Sequence, residues 1–113
     1  MATIDGRIRV VSVHLDTSPR HRQQAAALAD FLPRDLPMII GGDLNAWWGK
    51  HDQSVHEIDH VVPRVRNCGG ATFHFAFLPL RLDHFFTTLP HTRCFVSHDR
   101  FGSDHHPIVL HLF

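Results

Sequence analysis

Apolar and polar positions divide the chain into a first half that reads β-α-β-α and a second half that reads as successive strands. Ile8 to Leu15 is rich in β-branched residues and short enough for a strand, and the pattern predicts burial on both faces apart from its polar end at His14. Thr17-Ser18-Pro19 then supplies an N-cap and a first-turn proline. Arg20 to Leu32 follows as a helix whose inward stripe is Ala25, Leu28, Ala29 and Leu32. Pro33 to Pro37 ends it, and Met38 to Gly41 is a second strand, parallel to the first through the helical crossover. A weaker helix runs from Asp52 to Val62 with Val55, Ile58 and Val62 on one side. From Thr72 onward four strands are predicted: Thr72 to Phe77, Leu82 to Thr87, Arg93 to Ser97 and Ile108 to Leu112. This order makes the chain α/β with a mixed sheet.

A chain of 113 residues is one domain at most. Formal charge is zero, with ten Arg against the single Lys50, so long-range capture of an extended polyanion is not favoured. Scattered Arg reads first as a solvated surface, with a bidentate phosphate clamp as the alternative. The twelve histidines make surface charge sensitive to pH near neutrality, and their dispersal excludes a metal-storage tract. Cys68 and Cys94 form no C-x-x-C pair and match no zinc spacing; a reduced pair is the default expectation, with a disulfide left open. No signal peptide is legible at the start and no apolar run is long enough to span a bilayer, so the expectation is a soluble, cytoplasmic chain.

The segment richest in chemistry is Gly42-Asp43-Leu44-Asn45, which follows the apolar run Met38-Ile39-Ile40-Gly41. It sets an acid and an amide at the mouth of a strand, where open α/β sheets place their chemistry, although Asp and Asn are also ordinary turn residues there. Three other segments share its character: the late-strand histidine of Val13-His14-Leu15, the aspartate of Leu80-Arg81-Leu82-Asp83-His84-Phe85-Phe86, and Gly102-Ser103-Asp104-His105-His106-Pro107. In this order, from about Ile8 to Leu112, the chain resembles the C-terminal half of the endonuclease/exonuclease/phosphatase family, metal-dependent enzymes of the DNase I-like fold. Each motif is short, and the ordered set of four carries the likeness.

That resemblance implies half of a four-layer αββα sandwich in which two sheets pack face to face between helices. It implies hydrolysis of a phosphoester by an activated water, in a nuclease, phosphodiesterase or phosphatase setting, with magnesium or manganese. Asp43 would orient and deprotonate the water, and Asn45 would hold a phosphate oxygen or a second metal position. Asp83 and His105 look like the family's aspartate-histidine pair, and Asp104 like its cation-contacting carboxylate. His14 would donate to a phosphate oxygen or protonate the leaving group. The plain alternatives are a hydrogen-bonded strand-end histidine for His14, a structural pair with Arg81 or His84 for Asp83, and a turn cap for Asp104.

Family members are about twice as long, and their N-terminal half carries an Asn and a metal-binding Glu that nothing before His14 supplies. The rival expectation is therefore an inactive fragment or pseudoenzyme acting as an interaction module. Phe73, Phe75, Phe77, Phe85 and Phe86 would leave an apolar sheet face bare, which predicts self-association or docking onto a complementing N-terminal half. Substrate is open between nucleic acid and small or lipid-derived phosphoesters, and the balanced charge tilts toward the latter.

Two further motifs compete for attention. His56-Glu57-Ile58-Asp59-His60 fits H-E-x-x-H, which on a helix aims two imidazoles at one zinc, but no zincin-type downstream ligand follows. A surface zinc or nickel site is the milder version. Trp47 and Trp48 are expected to cover the end of the sheet, with stacking on a base as the alternative.

Overall fold

Residues 1–112 are described by a computed structural model. The elements are β1 (Ala2–Ile4), β2 (Ile8–His14), α1 (His21–Phe31), β3 (Met38–Asp43), a 3₁₀ turn (Gly49–His51), α2 (Gln53–Asp59), β4 (Phe73–Phe75), β5 (Leu78–Leu80), β6 (Asp83–Thr87), β7 (Arg93–Val96) and β8 (Ile108–His111). A four-stranded mixed sheet has the order β1-β2-β3-β6, while β4-β5 and β7-β8 are separate two-stranded sheets. The chain is thus mixed α/β, as the sequence pattern predicts. β2 and β3 are parallel through the α1 crossover, with Val11 opposite Ile40 and His14 opposite Asp43. β6 is antiparallel to β3, with Phe86 opposite Ile40 and Asp83 opposite Asp43. The short β1 reaches β2 by a tight turn in which Asp5 and Gly6 take φ of 51° and 65°.

One face of the sheet carries the core. Val11 and Val13 of β2, Ile40 of β3 and Phe86 of β6 pack with Leu44, Ala25, Leu32, Val55, Ile58 and Val62. Each of the Val, Leu, Ile and Phe side chains taken fully out of water contributes about 1.5–3 kcal/mol. The helical stripes fall where the 3.6-residue spacing puts them, with Ala25 and Ala29 buried on α1 and Val55 and Ile58 on α2. β2 departs from expectation. It is buried on one face only, since Ser12 and His14 are exposed while Val11 and Val13 are buried. The helices cover just one side of the sheet, and alternation follows from the pleat.

The helices are tied at their N-termini by a buried polar knot. Asp52 caps α2 by accepting from the Ser54 amide at 3.0 Å and the Ser54 hydroxyl at 2.8 Å, and it meets Nε2 of His21 from α1 at 2.8 Å. Burial alone would raise the Asp52 carboxyl, but Ser54 and His21 together hold it below the usual carboxylate range.

Three expectations are corrected here. The predicted strand Thr72 to Phe77 stops at Phe75, because Ala76 turns with φ of 53° and the chain returns as β5 through Leu78 and Pro79. No Asn-Gly or Asp-Gly signal marks this hairpin, so periodicity alone misses it. Cys68 and Cys94 are joined by a disulfide, against the default expectation of a reduced pair; the loop before β4 and strand β7 are brought together by folds of the chain that spacing does not reveal. Trp48 does not cover the sheet end. It is 79% exposed, while the partly exposed Trp47 meets Phe75 edge-to-face at 5.4 Å. The phenylalanines divide likewise, for Phe86 is wholly buried under the helices and Phe77 is fully exposed.

Candidate active site

The end of the central sheet gathers the site through register. His14 closes β2, Asp43 closes β3 and Asp83 opens β6, and the pairings His14 with Asp43 and Asp43 with Asp83 set the three side by side on adjacent strands. All three lie on the face away from the helices, alternating with Val13, Gly42 and His84. Gly42 is required there, because a Cβ at that position would lie 1.9 Å from the Val13 carbonyl oxygen and the backbone has φ of 149°. Gly41 admits the Phe85 ring, whose edge would be 2.7 Å from a Cβ.

Asn45 sits just beyond, buried, with φ of 49°. Its backbone N–H donates to Asp43 Oδ1 at 2.8 Å and its side-chain amide donates to the Leu15 carbonyl. These bonds fix the β3 exit and orient the Asp43 carboxylate. They commit one N–H of the Asn45 side chain to the Leu15 carbonyl, so a contact to a phosphate oxygen has only the second N–H to draw on.

His105 arrives from the loop between β7 and β8. Its Nδ1 donates to Asp83 Oδ2 at 2.7 Å, and its Nε2 stands 3.6 Å from Asp43 Oδ2. On the other side of the same Asp43 oxygen, the exposed His14 brings Nε2 to 3.8 Å. The Phe73 ring stacks at a tilt on His105, 5.0 Å between centroids, and limits its rotation. Burial raises the Asp83 carboxyl above its ordinary value, opposed by hydrogen bonds from Thr72 and His105. For His105 burial acts downward, but the bond to Asp83 and the charges of Asp83, Asp43 and Asp104 outweigh it and raise the imidazole. A proton-bearing imidazole is therefore favoured beside two carboxylates. Asp83 finds its partner in His105 rather than in Arg81 or His84: Arg81 is turned to the Gly70 carbonyl, and His84 donates to the Arg81 carbonyl on the helix side.

Clefts open on both sides of Asp43. One of about 260 Å³ is lined by Gly42, Asp83, Phe85, Ser103 and His105. The other, of about 250 Å³, is lined by His14, Leu15, Asp16, Thr17 and Asn45.

Asp43, Asp83 and His105 each offer one ligand atom within 4.8 Å of the others, a donor set with enough carboxylate oxygen for a hard divalent cation. Asp104, expected in that role, is exposed on the loop and outside the convergent group, although its charge reaches His105. The H-E-x-x-H segment does not assemble a site among the described residues. His56 and His60 are exposed, Glu57 pairs with Arg22 at 3.4 Å, and Asp59 accepts from the Arg64 amide at 2.7 Å.

Residues 5–105 match the Endonuclease/Exonuclease/phosphatase family. The chain belongs to that family. It is 36% identical over 86 residues to the protein named "Uncharacterized protein YbhP" of Escherichia coli, and equally to the protein of that name from Shigella flexneri; the match covers 70% of this chain and 34% of each relative. The chain thus spans about a third of the length of these curated relatives. The mixed α/β architecture is compatible with part of a DNase I-like domain, and among the described residues no helix is long and apolar enough to cross a membrane.

Proposed function

We propose that this chain carries the C-terminal part of a DNase I-like catalytic domain and takes part in metal-dependent hydrolysis of a phosphoester by attack of water on phosphorus. The observation that carries the reading is the convergence of two imidazole Nε2 atoms, from His14 and His105, on one oxygen of Asp43, with His105 held from behind by Asp83.

Such a reaction needs a base for water, positive charge at the phosphoryl oxygens and a proton for the leaving oxygen. Asp43, oriented by the Asn45 amide, takes the proton of the attacking water. His105, its Nδ1 committed to Asp83, presents Nε2–H to a phosphoryl oxygen. Exposed His14, at the mouth of the second cleft, is free to protonate the leaving group. When bound by the carboxylates of this cluster, magnesium or manganese would add charge at the phosphoryl oxygens. Asn45 lends its second side-chain N–H to a phosphate oxygen or its side-chain oxygen to the metal, and Asp104 adds its charge beside His105. Small or lipid-derived phosphoesters suit the zero formal charge better than a long nucleic acid does.

The test is hydrolysis of bis(p-nitrophenyl) phosphate with magnesium or manganese by the parent, Asp43→Ala and His105→Ala. Parent activity lost in both variants supports the proposal, and equal background rates in all three refute it. A second reading, an inactive part that acts only with a complementing half or as an interaction module, is favoured by exposed Asp104 and by the exposed Phe75, Phe77 and Trp48. It predicts turnover only after an N-terminal half is supplied, and a solution mass that rises with concentration. A constant monomer mass would count against self-association.

A further inference from the structure

Thr72 lies ten positions before Leu82 in no recognised motif, yet it is fully buried beside the reaction centre. Its hydroxyl oxygen accepts from the Leu82 amide at 3.1 Å and the Asp83 amide at 3.3 Å. These two bonds tie down the backbone at the start of β6, where Asp83 is placed. The backbone of the same residue reaches the other partner. The Thr72 carbonyl accepts from the His106 amide at 2.7 Å, and the next residue, Phe73, bridges to His105 in backbone pairing as well as through its ring. The Thr72 N–H donates to the Leu80 carbonyl at 2.9 Å, which anchors the residue across the β4-β5 hairpin.

We propose that Thr72 is a positioning residue of this site, holding from one buried point both the backbone that sets Asp83 and the segment that delivers His105. β6 and the His105 loop belong to different sheets and are joined to each other at few points. A residue whose hydroxyl holds the start of β6 and whose carbonyl holds the loop sets the 2.7 Å contact between Nδ1 and Oδ2. Serine can keep these bonds. Valine has the same shape but leaves two amides without a partner.

The kinetic arm of the test rests on the phosphoester-hydrolase reading; the spectroscopic arm does not. In the parent chain, the His105 Nδ1–H proton is expected as a downfield, slowly exchanging resonance, assigned by its loss in His105→Ala. Thr72→Val should abolish or broaden it, and Thr72→Ser should restore it. With bis(p-nitrophenyl) phosphate and manganese, Thr72→Val should lower kcat roughly 10- to 100-fold with little change in KM, and Thr72→Ser should recover most of that loss. An unchanged His105 resonance in folded Thr72→Val overturns the proposal, whatever the activity. An inactive parent that still shows the Thr72-dependent resonance refutes the hydrolase reading and leaves the positioning role standing. If Thr72→Val does not fold, hydrogen exchange of the parent decides: protection at the Leu82, Asp83 and His106 amides supports Thr72 as the common anchor, and fast exchange at all three overturns it.

Discussion

His84 and Asp83 are neighbours on β6 with opposite fates, since the pleat sends Asp83 to the site and His84 under the helices. Burial, together with the charges of Arg64 and Arg81, pushes the His84 imidazole down to about 4 from 6.5. Its folded value is thus depressed. Stability is fully present above pH 6.5, where the imidazole is neutral in both states, and falls between pH 6.5 and 4, where only the unfolded chain takes the proton. The expected loss is on the order of 3 kcal/mol. Urea titrations at pH 7 and pH 4.5 on the parent and His84→Gln check it, and the variant should show a smaller drop. At the site itself, His105→Asn should cost about 10²- to 10⁴-fold in phosphodiester hydrolysis while leaving the fold intact, as thermal unfolding followed by circular dichroism would register. The identities of these residues were open to view in the sequence, but their sidedness was not. A histidine within an apolar run looks the same whether it faces solvent, substrate or core.

Strand ends and helix ends do the positioning. Gly42→Ala forces a Cβ into the Val13 carbonyl, and backbone cannot yield as a side-chain tip would. Displacement of β3 from β2 at their shared end is expected, with a loss of about 3 kcal/mol or more in denaturant unfolding. Asp52→Ala removes the cap of α2 and the partner of half-buried His21 at once. A cost of about 2–4 kcal/mol is expected, read from the shift in urea midpoint, and His21→Ala in the same background should add little further. α1, α2, β2, β3 and β6 were legible because long apolar runs and helical stripes bury a whole face. The β4-β5 hairpin was not, because Ala76 turns without glycine or asparagine and its residues make few contacts with the main core.

Across the whole molecule, the main sheet and the β7-β8 hairpin are separate sheets, with β6 packed near β8; the Cys68–Cys94 bridge and the contact of the His105 loop with Asp83 are two of the links around them. The bridge closes a separation of 26 residues. Its reduction should lower unfolding free energy by about 3 kcal/mol on the chain-entropy account, measurable as a fall in urea midpoint with reductant. A bridge of this kind persists where the compartment is oxidising and is lost to cytosolic thiols, so alkylation and mass measurement on protein taken directly from its source would report its state.

Local rules were enough to determine the alternation of strands and helices, the inward stripes of α1 and α2, and the order in which His14, Asp43, Asp83 and His105 follow along the chain. These depend on periodicity and residue type, which a linear string contains in full. Tertiary structure alone decided that Asp83 meets His105 and not Arg81, that Asn45 turns its amide to Leu15, that Asp104 stays outside the convergent carboxylates, and that Thr72 joins the two halves of the pair. Each of these contacts spans different elements. Such contacts depend on strand register and on the path of loops, which are settled only when the sheet has buried one face and the remaining segments have found partners for their polar groups.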